Sequence, residues 1–138
     1  MEKEEVVKLL YEIKKMTGIQ FERQLCDIFD KLGYREVVHR GGPDDKGRDI
    51  TMKDKNGSSI VVQAKRWKNP VQPEAIVYVW DRKETFGADE AWLVTSGKFS
   101  KTALQRAREK KVKTVGWYGL RKMVWKAEYY NQIKGNKK

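Results

Sequence analysis

The stretch Arg48-Asp49-Ile50-Thr51-Met52-Lys53-Asp54-Lys55-Asn56-Gly57-Ser58-Ser59-Ile60-Val61-Val62-Gln63-Ala64-Lys65-Arg66-Trp67 decides the fold. It reads as two short strands around a tight turn, because Asn56-Gly57 between alternating apolar runs is a strong hairpin signal. If Lys55-Asn56-Gly57 is a three-residue loop with Gly57 at positive φ, Lys53 faces Ser59, Thr51 faces Val61 and Asp49 faces Gln63. Residues two apart on a strand share a face. Asp49, Gln63 and Lys65 then gather on one side, while Ile50, Met52, Ile60, Val62 and Ala64 fill the other. A two-residue turn would instead set Asp49 opposite Ala64, away from Gln63. A carboxylate oxygen, an amide oxygen and the Ala64 carbonyl are hard ligands suited to Mg²⁺, which takes few protein groups. A lysine two residues along can hold or deprotonate a metal-bound water. The same residues would equally make a polar strand face open to water.

The rest of the composition narrows the partner. The chain has 138 residues, enough for one domain with one core. Residues 1–16 read as an N-terminal helix, 17–130 as the core of the domain, and 131–138 as a basic tail without fixed structure. Lys and Arg total 30 against 19 Asp and Glu, a formal net charge of +11. That excess favours a polyanion, nucleic acid ahead of an acidic membrane surface. One cysteine, Cys26, and one histidine, His39, exclude an internal disulfide and a four-ligand zinc site of the usual kind. The opening Met1-Glu2-Lys3-Glu4-Glu5 is too charged for a signal peptide, and no apolar run is long enough to span a bilayer. A cytoplasmic protein with no membrane partner is expected.

Outward from the hairpin, the periodicity supplies the other elements. Val6, Leu9, Leu10, Ile13 and Met16 recur at helical spacing. Thr17 caps a second helix, with Gln20 completing a capping box, and Gly33 ends it. Phe21, Leu25, Ile28, Phe29 and Leu32 form its buried stripe, and Glu22 lies beside that stripe. A strand follows around Val37-Val38, and His39 is read as a strand or surface residue. Gly41 to Gly47 is a loop in which Asp44 and Asp45 are turn formers or extra ligands. Trp67 is expected to close the core. A helix is expected over 73–86, ended by Gly87, and a buried strand over 90–95. Ser100 caps a helix to about Lys111, a strand centres on 112–115, and a final helix runs from Gly119 to about Tyr130. Trp80, Trp92, Trp117 and Trp125 are mostly core. The order α-α-β-β-β-α-β-α-β-α implies an α/β domain: a mixed sheet with helices on both faces.

Read together, these residues resemble a known superfamily. An Asp on one strand and (Glu or Gln)-x-Lys on the next is the motif of the restriction-endonuclease-like nucleases. The segments Phe21-Glu22, Gly33-Tyr34, Gly41-Gly42 with Asp45 and Gly47, Asp49-Ile50, Val62-Gln63-Ala64-Lys65-Arg66-Trp67 and Leu93-Val94-Thr95-Ser96-Gly97-Lys98-Phe99-Ser100 look like the Mrr-type catalytic domain. The likeness covers roughly residues 17 to 125. It implies a restriction-endonuclease-like fold and a Mg²⁺-dependent endodeoxyribonuclease, with Mn²⁺ as a substitute. By this resemblance Asp49 is the main metal ligand, Gln63 and the Ala64 carbonyl are further ligands, and Glu22 reaches the metal through water. Lys65 orients or activates the attacking water. Arg48, Arg66, Lys68, Lys98 and Lys101 are the expected DNA contacts. The substrate is double-stranded or branched DNA, and a homodimer is expected. Gln63 stands where many relatives carry Glu, so one negative charge is missing. A Holliday-junction resolvase of the same superfamily and a DNA-binding module that has lost cleavage are the alternatives. No segment of the 138 residues reads as the winged-helix module of Mrr proteins, so methylation-dependent specificity is not implied.

Overall fold

The structure, a computed structural model, describes residues 3–40 and 49–136. The loop that carries Asp44, Asp45 and Arg48 lies outside the described residues. Ten elements follow in the expected order: α1 Lys3–Lys15, α2 Gly18–Lys31, β1 Arg35–His39, β2 Ile50–Lys53, β3 Ser59–Lys65, α3 Pro73–Phe86, β4 Glu90–Thr95, α4 Lys101–Lys110, β5 Lys113–Val115 and α5 Trp117–Asn136.

The strands form one five-stranded sheet in sequential order. β1, β2 and β3 make an antiparallel meander; β3, β4 and β5 are parallel. The hairpin has the register of the three-residue loop. Lys53 pairs with Ser59 and Thr51 with Val61, and Gly57 has φ 86°. Two successive right-handed crossovers, β3-α3-β4 and β4-α4-β5, put α3 and α4 on the same face. Val61, Ala91 and Leu93 pack there with Val71, Ile76, Val79, Ala103 and Ala107. On the opposite face Ile50, Met52, Ile60, Val62 and Ala64 pack with the apolar stripes of α1, α2 and α5. This is the apolar hairpin face that the alternation implied.

Local signals explain the element boundaries. Thr17 and Gln20 form the capping box of α2, a device that contributes about 1 kcal/mol. Gly87 ends α3 in the left-handed region, and the Ser100 hydroxyl caps α4 by accepting from the N–H of Ala103. Phe29, Tyr34 and Trp92 meet edge to face, with ring centroids 5.6–5.9 Å apart.

Three expectations change. α5 continues to Asn136, so residues 131–136 extend the last helix instead of forming a tail. Trp67 is 44% exposed and does not close the core, because β3 ends at Lys65 and the chain turns outward. Trp92 is buried as expected, but Trp125 stands half exposed on α5.

Candidate active site

The antiparallel start of β2 and the parallel ends of β3, β4 and β5 meet along one edge of the sheet. Asp49 sits immediately before β2 at that edge and is held from both sides. Its N–H donates to the Val62 carbonyl (3.1 Å), and its carbonyl accepts from the N–H of Arg40 (2.8 Å). Its Oδ2 accepts from the N–H of Ala64 at 2.8 Å. The side chain thereby closes the hairpin ladder where backbone pairing stops. N–H and C=O of one strand residue point the same way, so the Ala64 carbonyl opens toward this edge too.

Gln63 follows Val62, the last β3 residue in register with β2, and pairs with Leu93 of β4 on the other side. It is only 5% exposed, which excludes a polar face open to water at this position. Its Oε1 is buried with no hydrogen-bond partner among the described residues. A buried oxygen without a partner costs about 1–3 kcal/mol and calls for an explanation such as a bound ion.

Lys65 pairs with Thr95 at the end of β3, and its Nζ lies 4.6 Å from the centroid of the Trp67 ring. Trp67 therefore steadies the lysine rather than the core. Glu22 projects from α2 on the opposite face of the sheet. His39 Nε2 donates to its Oε1 at 2.7 Å; an ionised carboxylate can only accept. Burial raises the Asp49 carboxyl above the usual range, as does the charge of Glu22. The N–H of Ala64, Lys65 and His39 pull it back. Glu22, His39 and Lys65 thus each act through space on the Asp49 carboxyl. Cys26 takes no nucleophilic part, since burial and then Glu22 push its thiol up to about 11.

The donor set fits a hard cation. Among the described residues no group of three His, Cys, Asp or Glu side chains could hold a metal. What this edge offers is a carboxylate, an unpaired amide oxygen and a strand carbonyl, with Glu22 within electrostatic range. That mixed oxygen set suits Mg²⁺, which keeps several waters.

The expected DNA contacts divide. Lys68, Lys98 and Lys101 are exposed near the ends of β3 and β4. Arg66 is half-buried, and its Nη1 donates to the Lys14 carbonyl at the end of α1 (3.0 Å). Arg48 lies outside the described residues. The sequence reading overlooked His39 as a neighbour of the site, because its partner Glu22 lies 17 residues earlier in the chain and meets it only in the fold. The one available signal was the place of Glu22 beside the buried stripe of α2.

The family model for the Mrr-type restriction endonuclease catalytic domain matches residues 13–124. No curated protein of similar sequence is found. Among solved structures, the DNA modification-dependent restriction endonuclease AspBHI superposes with a TM-score of 0.70 at 15% identity, over 99% of this chain and 41% of that one. MspJI restriction endonuclease, solved in complex with a 27-mer oligonucleotide, superposes with a TM-score of 0.60 at 21% identity, over 89% of this chain and 32% of that one. The chain thus spans less than half the length of either. Both likenesses show a shared fold, that of the restriction-endonuclease-like proteins. No described helix is long and apolar enough to cross a membrane. The family match runs from the end of α1 into α5 and takes in the whole sheet, and by it the chain belongs to the Mrr-type restriction endonuclease family.

Proposed function

We propose that this chain is a Mg²⁺-dependent endodeoxyribonuclease that hydrolyses DNA phosphodiester bonds at the edge built around Asp49, with Mn²⁺ able to replace Mg²⁺. The observation that carries the reading is Gln63: a buried amide oxygen with no partner among the described residues, beside a carboxylate anchored on the neighbouring strand. Asp49, Gln63 and the Ala64 carbonyl would hold the cation, and Glu22 would reach it through water. The cation would supply positive charge to the phosphate in the transition state and acidify a water for in-line attack.

The chain's own residues do the remainder. Asp49 is fixed through its Oδ2 to Ala64, so its other oxygen is free to face the cation. His39 occupies one oxygen of Glu22 and orients the second. Lys65 holds and polarises the attacking water, whose proton passes to solvent. One such site cuts one strand, so duplex cleavage would pair two copies about a twofold axis.

Supercoiled, linear and four-way DNA, each incubated with Mg²⁺, Mn²⁺ or EDTA, test the reading. Nicking or cutting that EDTA abolishes is the expected result; a preference for the four-way substrate would assign a junction resolvase. Binding with no cleavage under any divalent metal would make this a DNA-binding module instead. Affinity should also depend steeply on salt and hardly on sequence, because the excess of 30 basic over 19 acidic residues acts on phosphates. With about four phosphates contacted, a fourfold rise in salt should weaken binding about 10²-fold. Anisotropy titrations over that range give the slope, and a flat profile would mean the charge serves another purpose.

A further inference from the structure

Beyond Lys65 the edge of the sheet is hollowed. A groove of about 510 Å³ lies over the ends of β4 and β5, next to the β3 end that carries Lys65. Neighbouring strands sit about 4.8 Å apart, so the groove opens roughly 10 Å from Lys65. Gly97 lines the groove and lets the chain after β3 pass close by, since an added Cβ there would come within 2.5 Å of the Trp67 carbonyl. Its rim carries Lys14, Lys68 and Lys98, and none of its described lining residues is acidic. Trp117 and Tyr118 supply its aromatic wall. Lys14 Nζ already lies 4.3 Å over the Trp117 ring, whereas Tyr118 is 77% exposed. Arg121 lies 6.0 Å from the Tyr118 ring centroid on one side, and the open tyrosine presents its other face at a groove that three lysines line.

We propose that this groove binds an unpaired nucleotide of single-stranded DNA, its base stacked on Tyr118 and its phosphate held by Lys68 and Lys98. In a continuous duplex both faces of every base are covered by neighbours, and Tyr118 would have nothing to stack on. An unpaired base has a free face, and stacking on an aromatic side chain tolerates any sequence. Resting on the nuclease reading, the groove makes the substrate DNA with a single-stranded segment one or two nucleotides from the cut: frayed, flapped or branched. Tyr118 also borders an apolar groove between α1 and α5, lined by Val7, Leu10 and Trp125. A second copy of the chain seated there is the competing use of the same tyrosine.

The test measures binding without metal, so it stands apart from cleavage. Labelled oligo(dT) and a blunt duplex are titrated in EDTA with wild type, Tyr118→Ala and Tyr118→Trp. Tyr118→Ala should weaken oligo(dT) binding roughly tenfold, the loss of one stack, and leave the blunt duplex within about twofold. Tyr118→Trp should retain wild-type affinity for both. Lys68→Ala with Lys98→Ala should lower the oligo(dT) salt slope by about 1.4. Equal losses on both ligands, or no loss on oligo(dT), overturn the proposal. So does a Tyr118→Ala loss accompanied by dissociation of a dimer in sedimentation, which would give the tyrosine to the second copy. If the selective loss is found but no DNA is cut, the nuclease reading fails and the groove stands. If DNA is cut but Tyr118→Ala is silent, the groove fails and the nuclease reading stands.

Discussion

Lys65→Ala is expected to abolish plasmid cleavage while leaving DNA affinity within about twofold. The lysine stands at the end of β3, one position past the Ala64 carbonyl, and donates to no described partner other than the face of Trp67. It is not a cation ligand, so its loss should leave cation binding intact. Removing a group that positions and helps activate the attacking water costs typically 10²–10⁴-fold in rate. The fold should survive, because the exposed cation–π contact with Trp67 contributes about 0.5–1 kcal/mol. Binding should barely change, since one charge is lost from a surface carrying a formal +11. Nicking of supercoiled plasmid in Mg²⁺, with anisotropy in EDTA, separates the two effects. A mutant that cuts at the wild-type rate would remove Lys65 from the chemistry and with it the reading of the motif.

Asp49→Asn should be as damaging to cleavage and opposite in its effect on stability. The amide oxygen can still accept the N–H of Ala64, so the ladder stays closed. The charge is lost, and Mg²⁺ with it. In the wild type, burial raises the Asp49 carboxyl, so its ionised form is disfavoured in the fold relative to the unfolded chain. That penalty is absent at pH values below the ordinary carboxylate range. It grows as pH rises from there to the raised value and is constant above. The metal-free wild type should therefore gain stability as pH falls through this window, and the Asn variant should not. At neutral pH without metal the Asn variant should melt no lower than wild type. Mg²⁺ should raise the melting temperature of wild type alone, by about 2.7 kcal/mol of stability at a hundredfold excess over Kd. Asp49→Ala differs in leaving the Ala64 N–H unpaired, at about 1–3 kcal/mol. An Asn variant that still cuts, or that still responds to Mg²⁺, would move the cation elsewhere.

Much of this was legible in the sequence because it depends on short-range rules. The Asn56-Gly57 turn sets the hairpin register from Lys53 opposite Ser59 to Ile50 opposite Val62, and Asp49 and Gln63 are the next residues along each strand. Alternation then names the buried face without any tertiary information. Caps at Thr17, Ser100 and Gly87 are equally local. What escaped was long-range or depended on where an element stops. His39 needs α2 folded over β1 before it can meet Glu22. Trp67 looked like core because it is apolar and follows a buried strand, yet the strand had already ended at Lys65. The contact of Arg66 with the end of α1 spans more than fifty residues of chain. The extent of α5 was lost because Lys and Asn near its end read as tail, although neither prevents a helix.

The five-stranded sheet divides the molecule into two apolar clusters that touch only through the strands. Glu22 and His39 are carried by the half that contains α1, α2 and α5; Gln63 and Lys65 face the half that contains α3 and α4; Asp49 stands at the rim between them. On the proposed nuclease reading, competence at this edge would be a conjunction. Local opening of either half would draw its share of donors away while the other half remained packed. The more fragile cluster would then set the temperature at which the proposed activity ends, whatever the resilience of its neighbour, and strengthening the sturdier one would gain nothing.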